Sequence, residues 1–242
     1  MNTEYLEIPE RFCGPPNSGN GGYVCGLLAK HLPGTVSVRL KAPPPLKATL
    51  RREWTNDSAR LFQESIVVGE AKSSELRLEP PNCPTLAQAE RAAADFPWFK
   101  SHLFPRCFVC GPRREPGDGL RIFSGPLAGR GLHAAPWVPH ASLADDCGDV
   151  AREFIWAALD CPSGFAVLPV PEGLAIVLGE LCASVESTLA VDQPTVVTSW
   201  PIAHEGRRRT AGTAIHTADG KLVALARAVW IEVPHTQWAL SK

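Results

Sequence analysis

The longest run of apolar residues at helical spacing predicts a central helix over residues 150–159. The apolar stripe is broad enough for protein to cover most of the helix, and it consists of Val150, Phe154, Ile155, Trp156, Ala158 and Leu159. Asp149 is a favourable residue to cap the N-terminus. We expect the helix to end at Cys161, Pro162 and Gly164.

A second, shorter apolar helix is predicted over residues 23–31, directly after the glycine-rich segment 12–22. Glycines before a helix let the backbone approach a ligand closely, and the helix N-terminus presents free N–H groups. No βαβ unit encloses the segment, so it does not match a dinucleotide-binding fingerprint. It is therefore a candidate binding loop of another kind.

Alternating apolar and polar residues predict strands in both halves of the chain, before and after each helix. In the first half these are 4–8, 35–40, 46–54, 59–68 and 71–78, with a turn at Gly69-Glu70. In the second half they are 119–123, 131–137, 174–186, 195–202, 207–217 and 221–233, and Asp219-Gly220 predicts a hairpin between the last two. A helix followed by four strands thus occurs twice, at 22–78 and 150–233, a pattern that favours sheets wrapped around helices.

Prolines at 80–84 separate the two halves. Thr85 and Gln88 form a capping-box pattern, which predicts a short surface helix over residues 85–94. Residues 96–105 are aromatic and proline-bearing, as in a linker. We therefore expect an N-terminal unit at 1–80, a linker with a short helix at 81–105, and a C-terminal unit at 106–242.

Composition limits the classes of partner. The net charge is −1, with 20% charged and 45% hydrophobic residues, so bulk electrostatics favour neither a nucleic acid nor a membrane surface. No apolar run reaches the roughly 18 residues that predict a membrane span. The acidic first residues do not resemble a signal peptide, so we expect a cytoplasmic protein without membrane association.

The eight cysteines are spread over the chain, as is typical of reduced thiols in a protein without export signals. Cys107 and Cys110 alone have metal-like spacing, and no second CxxC or HxxxH completes a four-ligand zinc site. Cys83 and His102 are the residues that could join them. On balance the sequence predicts no metal.

Asp160 is the best candidate for a catalytic group. In the predicted last turn of its helix, the helix dipole disfavours a carboxylate, and burial would raise its pKa further. The alternative is a structural aspartate that caps the next loop or forms a salt bridge. Asn20 could orient a water molecule or a carbonyl group, although an asparagine among glycines is commonly a turn residue.

Three stretches resemble hotdog-fold thioesterases. The sequence CFVCG at 107–111, followed by GLRIF at 119–123, resembles the opening of single-domain members. Residues 20–28 are similar to the start of the central helix in acyl-CoA thioesterases, and 217–228 to the last hairpin of bacterial double-hotdog acyl-CoA thioesterases. The resemblance implies an α+β fold with two hotdog units in tandem, each a long central helix wrapped by an antiparallel β-sheet.

The same resemblance implies a hydrolase of acyl-CoA or a related acyl thioester that needs no cofactor. Such chemistry requires a carboxylate that activates water or attacks the thioester, and N–H donors for the oxyanion. By this resemblance Asp160 matches the helix acid, and the backbone of Gly21, Gly22 and Tyr23 matches the donors. The two halves would then share one composite site.

Glu180 is the second acid that the resemblance places in the catalytic set, near the strand aspartate of double-hotdog thioesterases. Ala228 stands where those enzymes carry a glutamine, and Cys147-Gly-Asp replaces their His-Gly-Gly at the start of the second helix. In strict alternation Glu180 shares a strand face with the apolar Leu174, Ile176 and Leu178. It is therefore either buried with a partner or at the rim of the core.

The basic cluster Arg207, Arg208 and Arg209 could hold the phosphates of coenzyme A, with a solvated turn as the alternative. A homodimer of double-hotdog chains is a further assembly that the resemblance allows. The competing function is a non-catalytic protein of hotdog fold that binds an acyl group or another small molecule. A dehydratase or hydratase is disfavoured because the sequence lacks an aspartate and a histidine at the close spacing such enzymes use.

Overall fold

The computed structural model describes residues 1–238. Within this range the helices are α1 (Gly21–Ala29), α2 (Leu86–Ala94) and α3 (Arg152–Phe165). The strands are β1 (Asn2–Leu6), β2 (Val36–Leu40), β3 (Leu50–Trp54), β4 (Ser58–Gln63), β5 (Ile66–Ser73), β6 (Gly125–Leu127), β7 (Leu132–Trp137), β8 (Leu174–Val185), β9 (Thr195–Glu205), β10 (Arg208–Thr217) and β11 (Leu222–Pro234). Short 3₁₀ turns lie at Glu10–Phe12, Ala141–Leu143 and His235–Trp238.

The strands join into one sheet in the order β1-β3-β4-β5-β2-β8-β11-β10-β9-β7-β6, through antiparallel ladders. The first-half and second-half strands meet where β2 pairs with β8, with Val38 opposite Leu181. Helix α1 packs on the first-half strands and α3 on the second-half strands, and the two helices contact each other. The main core therefore lies between the sheet and this helix pair.

Helix α3 is longer than predicted and starts later. It begins at Arg152, with Ala151 rather than Asp149 at the N-cap, and it continues through Pro162 to Phe165. A proline inside a helix removes one N–H donor, which leaves the carbonyl four residues earlier without its intrahelical partner. Contacts with the sheet hold this part of α3 at other atoms: the Ser199 hydroxyl donates to the carbonyl of Pro162 itself (2.7 Å), and the Trp230 indole N–H donates to Ser163 Oγ (2.8 Å). Asp160 thus lies inside the helix and not at its C-terminus.

The first-half hairpin was also predicted in the wrong place. Strands β4 and β5 are joined at Glu64-Ser65, where Glu64 adopts a positive φ of 52°, and not at Gly69-Glu70. Gly69 lies within β5 and packs against helix α1. A Cβ at this position would come within 2.8 Å of Leu28 Cδ1 on that helix. Close packing, and not a turn, explains this glycine. The predicted strand at 71–78 ends with β5 at Ser73.

Residues 119–123 do not form a strand of the sheet. Their backbone pairs instead with the cysteine-bearing loop, since Leu120 N–H donates to the Phe108 carbonyl (2.8 Å) and Ile122 N–H to the Val109 carbonyl (2.9 Å).

The hairpin predicted at Asp219-Gly220 is confirmed: Gly220 has a positive φ of 89°, and its N–H donates to the Thr217 carbonyl (2.9 Å). No helix among the described residues is long and apolar enough to cross a membrane.

The capping box of α2 is confirmed and yields the first prediction. Gln88 N–H donates to Thr85 Oγ1, and Thr85 N–H donates to Gln88 Oε1 (2.9 Å). Thr85→Ala removes the side-chain acceptor, so we expect the free energy of unfolding to fall by about 1 kcal/mol. Urea unfolding measures the change. Thr85→Ser keeps the acceptor and serves as the control; equal losses in both variants would contradict the capping role.

Candidate functional site

Asp160 on helix α3 lies against the N-terminus of helix α1. Its Oδ2 accepts hydrogen bonds from Gly22 N–H and from Asn20 Nδ2, each at 2.9 Å. The Asn20 side chain is itself fixed, because its Oδ1 accepts from Tyr23 N–H (2.9 Å) and so caps α1. Asn20 therefore caps α1 and also holds Asp160, while its expected role in orienting a water molecule or a carbonyl group stays a prediction.

Gly22 permits this close approach. A Cβ at this position would lie 2.4 Å from Asp160 Cβ and 2.7 Å from the Trp156 carbonyl oxygen, distances that no side chain tolerates. One turn later, Gly26 meets Glu153 of α3 in the same way, with 2.5 Å to its Cα. The glycines thus bring the start of α1 within hydrogen-bonding distance of Asp160.

The second carboxylate oxygen of Asp160, Oδ1, is buried and has no hydrogen-bond partner within the described part of the chain. Burial raises the pKa of Asp160 to about 7, while the hydrogen bonds from Gly22 and Asn20 oppose the rise. Of the two causes that the sequence suggested, burial applies and a position at the helix C-terminus does not, since Asp160 lies inside α3. A buried polar atom without a partner is costly, which marks Oδ1 as a candidate contact for a ligand.

Asp160 lies in the wall of a cavity of about 730 Å³, a size within the range of small-molecule sites. Among the described residues that line it, Asp160 is the only acid. The rest of the wall is largely apolar and includes Leu40, Trp98, Phe165, Ile176, Leu178 and Trp230. The cavity therefore suits an apolar group that reaches a single carboxylate.

The N–H groups expected to bind an oxyanion are not equally available. Those of Gly22 and Tyr23 donate to Asp160 and Asn20. Gly21, the first residue of α1, lines the cavity, and N–H groups in the first turn of a helix have no intrahelical acceptor. Of the three expected donors, Gly21 is thus the one whose N–H is not engaged by Asp160 or Asn20. The Tyr23 ring stacks on Phe12 with centroids 4.3 Å apart, within the core.

Glu180 is not brought to Asp160. It accepts hydrogen bonds from Ser37 Oγ (3.2 Å) and from Arg39 Nη2 (2.8 Å). Its neighbour Leu181 packs in the core, so Glu180 points to the opposite face of the sheet. The alternation with Leu174, Ile176 and Leu178 does not reach Glu180, because the register of β8 shifts between Leu178 and Glu180, which places Gly179 in a bulge.

The arginine cluster also lies away from the cavity. Arg207 and Arg208 are exposed at the β9–β10 turn, and neither lines the cavity. Arg209 donates from Nε to Glu232 (2.6 Å) and from Nη1 to the Val167 carbonyl (2.8 Å). These contacts hold the segment after α3 against β10 and β11, so they support a structural role for Arg209.

A group of three cysteines beside Asp160 was missed by the sequence reasoning. The sulfur atoms of Cys107, Cys110 and Cys161 all lie within 4.8 Å of one another. Hydrogen bonds from the Cys110 and Cys161 thiols lower the pKa of the Cys107 thiol well below its usual range, against the effect of burial. The sequence interpretation treated Cys161 only as part of a helix end. Its position directly after Asp160 was the signal in the sequence that could have placed it at the site.

Comparison with known proteins gives matches of structure alone. No family model and no curated protein matches the chain. The tesB protein of Mycobacterium avium subs paratuberculosis has 11% identity and a TM-score of 0.62, covering 96% of this chain and 93% of that chain. The acyl-CoA thioesterase II TesB2 of Mycobacterium marinum has 12% identity and a TM-score of 0.56, with the same coverage.

A protein of unknown function with a hotdog fold from Alicyclobacillus acidocaldarius matches at 11% identity and a TM-score of 0.53, covering 96% of this chain and 93% of that chain. The chain therefore has a hotdog fold. More specifically, it resembles TesB-like acyl-CoA thioesterase II structures and other hotdog-fold thioesterases across about 95% of its length.

Proposed function

We propose that this protein hydrolyses acyl-CoA or a related acyl thioester, with Asp160 as the catalytic carboxylate. One observation supports this above all: Oδ2 of Asp160 is held by two donors, whereas the buried Oδ1 has no partner among residues 1–238 and its residue lines an apolar cavity. A fixed carboxylate with one free oxygen can take a proton from water or attack a carbonyl carbon.

The chain would be two hotdog units in tandem. Helix α1 with β1–β5 forms one candidate unit, and α3 with β6–β11 forms the other, since each helix packs mainly on its own strands. Asp160 then comes from the second unit and Gly21, Gly22 and Asn20 from the first. The boundaries at 1–80, 81–105 and 106–242 stay a prediction, as do the homodimer and the cytoplasmic location.

In the proposed reaction the acyl group occupies the apolar cavity with its carbonyl carbon near Asp160. Oδ1 accepts a proton from a water molecule as the water oxygen bonds to the carbonyl carbon. Gly21 N–H donates to the developing oxyanion. When the C–S bond breaks, the proton on Asp160 passes to the departing thiolate, so the products are a carboxylic acid and a free thiol. Direct attack by Oδ1 on the carbonyl carbon is the other route open to this carboxylate.

A protein that binds an acyl group without hydrolysis is the second candidate. Two residues favour it: Glu180 is ion-paired on the far face of the sheet, and the fully buried Ala228 stands where the resemblance implies a glutamine. Among the described residues that line it, the cavity therefore offers one acid and lacks the second acid and the glutamine that the resemblance implies. If Asp160 alone does not support turnover, the protein would bind an acyl group without hydrolysing its thioester.

A panel of acyl-CoA substrates tests the proposal. Short, medium, long and aromatic acyl-CoAs would be assayed for release of free thiol, and thioether analogues, which cannot be hydrolysed, would be titrated by calorimetry. We expect turnover of those substrates whose acyl group fits the apolar cavity. Saturable binding of analogues with no thiol release from any substrate would support the binding protein instead. Absence of both turnover and binding would contradict both functions.

A further inference from the structure

The three cysteines beside Asp160 come from two separate parts of the chain. Cys107 and Cys110 lie in the loop that precedes residues 119–123, and Cys161 follows Asp160 on helix α3. The Cys107 and Cys161 sulfurs are 3.6 Å apart. A disulfide requires about 2.05 Å. Four sulfurs arranged tetrahedrally at the usual zinc–sulfur distance of about 2.3 Å would be about 3.8 Å apart. The observed spacing is too long for a disulfide; it is that of a thiol hydrogen bond, and it also places the two sulfurs close enough to share one metal ion.

The loop that carries Cys107 and Cys110 is shaped to present a thiolate. Backbone N–H groups of Val109 and Cys110 near the Cys107 sulfur favour its thiolate form. Gly111 N–H donates to the Cys107 carbonyl (2.9 Å), and a Cβ on Gly111 would come within 2.5 Å of that oxygen. Donors fixed around a ligating sulfur stabilise its negative charge, as the outer contacts of metal sites commonly do.

Asn20 adds a second kind of donor to the cluster, a side-chain amide. Its Nδ2 lies 3.7 Å from the Cys161 sulfur and 3.9 Å from the Cys107 sulfur, besides its bond to Asp160. Three thiolates and one divalent cation carry a net charge of −1, so amide and backbone donors suit the loaded cluster. Uncharged thiols in an apolar core would not need them.

We propose that Cys107, Cys110 and Cys161 together bind one zinc ion. Sulfur ligands select soft or borderline cations, and zinc accepts three protein ligands with a fourth position open. Within the described residues the group holds three ligand atoms, and all three cysteines line the same cavity as Asp160. The fourth position is therefore filled by water or by a ligand in the cavity. This site does not depend on the proposed hydrolase activity.

Metal analysis and cobalt spectroscopy test the site in the full-length protein. We expect about one zinc per chain when the protein is purified with a reductant. After removal of zinc with a chelator, cobalt(II) should restore binding and produce intense visible bands of tetrahedral cobalt, with sulfur-to-metal charge transfer in the near ultraviolet. Cys107→Ser and Cys161→Ser should each weaken zinc binding by at least about 100-fold in competition with a chromophoric chelator.

Cys147→Ser is the matched control, because Cys147 is exposed and lies outside the cluster. It should leave zinc content and cobalt spectra unchanged. If the serine variants fail to fold, alkylation of the wild type gives the same answer: zinc should slow modification of Cys107, Cys110 and Cys161, while Cys147 reacts at the same rate with and without zinc.

Three outcomes would overturn the proposal. One is apo-protein that takes up neither zinc nor cobalt under reducing conditions. Another is metal binding that Cys161→Ser leaves intact. The third is a disulfide between two of the three cysteines, mapped by mass spectrometry in protein that binds no metal after reduction. Thioester hydrolysis is measured separately. Protein that binds zinc but does not hydrolyse thioesters would support the zinc site and contradict the hydrolase. Protein that hydrolyses thioesters but cannot bind zinc would contradict the zinc site and support the hydrolase.

Discussion

Asp160→Asn is expected to lower kcat/KM for thioester hydrolysis by at least about 100-fold, the usual contribution of a positioned acid or base. Asparagine has nearly the same shape, and its carbonyl oxygen can still accept the hydrogen bonds from Gly22 and Asn20. Its amide nitrogen then occupies the place of Oδ1 but can neither take a proton nor attack a carbonyl carbon. The unfolding temperature should therefore change little while turnover is lost.

Asp146→Asn makes the same chemical change at an exposed loop position and is the matched control. Glu180→Gln separates the two acids that the resemblance implies: since Glu180 faces away from the cavity, its loss should affect stability through Arg39 more than turnover. Steady-state kinetics and thermal unfolding on the same preparations measure both effects. If Asp160→Asn keeps full activity, Asp160 is structural; if Glu180→Gln alone abolishes turnover, the catalytic acid was misassigned.

The reasoning from sequence selected Asp160 for one sound reason and one wrong one. Its apolar neighbours, such as Trp156 and Leu159, predicted burial, and burial is what raises its pKa. The second reason, a place at the helix C-terminus, relied on Pro162 and Gly164 to end the helix. Both are tolerated within α3 because tertiary contacts compensate, with Trp230 packed where a Cβ of Gly164 would lie. Local propensity could not reveal that packing.

Glu180 shows the same limit for strands. Its interpretation depended on an unbroken alternation from Leu174 onward, and the bulge at Gly179 reverses the face after it. A single glycine in a strand is a hint of a bulge but does not prove one, since Gly69 lies in a strand for packing reasons. The fold itself was more accessible, because long strands and two apolar helices are repeated features that one local error does not change.

The cysteine cluster could be inferred only in part. The spacing of Cys107 and Cys110 is visible in the sequence, and the spacing rule then looks for a second pair. The third member of the cluster is instead Cys161, 51 positions after Cys110 along the chain and on helix α3. A ligand set that mixes a loop with a helix has no spacing signature.

Gly22→Ala tests the contact between α1 and α3 on which the proposed site depends. The added Cβ would meet Asp160 Cβ at 2.4 Å and the Trp156 carbonyl oxygen at 2.7 Å. Helix backbone cannot yield as a side-chain end can, so the two helices must separate. Overpacking of this kind costs about 3 kcal/mol. For a chain of this length that corresponds to a fall in the unfolding temperature of about 6–12 °C.

The neighbouring Gly21→Ala is the matched comparison. It adds the same methyl group to the same turn of α1, but its nearest contacts are side-chain atoms of Leu178, Cδ2 at 2.9 Å and Cβ at 3.1 Å, and not helix backbone. We expect it to lose no more than about 1 kcal/mol, because Leu178 can adjust beside the cavity. Thermal and urea unfolding of both variants measure the difference.

Separation of the helices should also break the hydrogen bond from Gly22 to Asp160, so Gly22→Ala should lose turnover even well below its unfolding temperature. Equal stability of the two variants would mean that α1 and α3 are not locked together at Gly22, and the geometry proposed for Asp160 would lose its support.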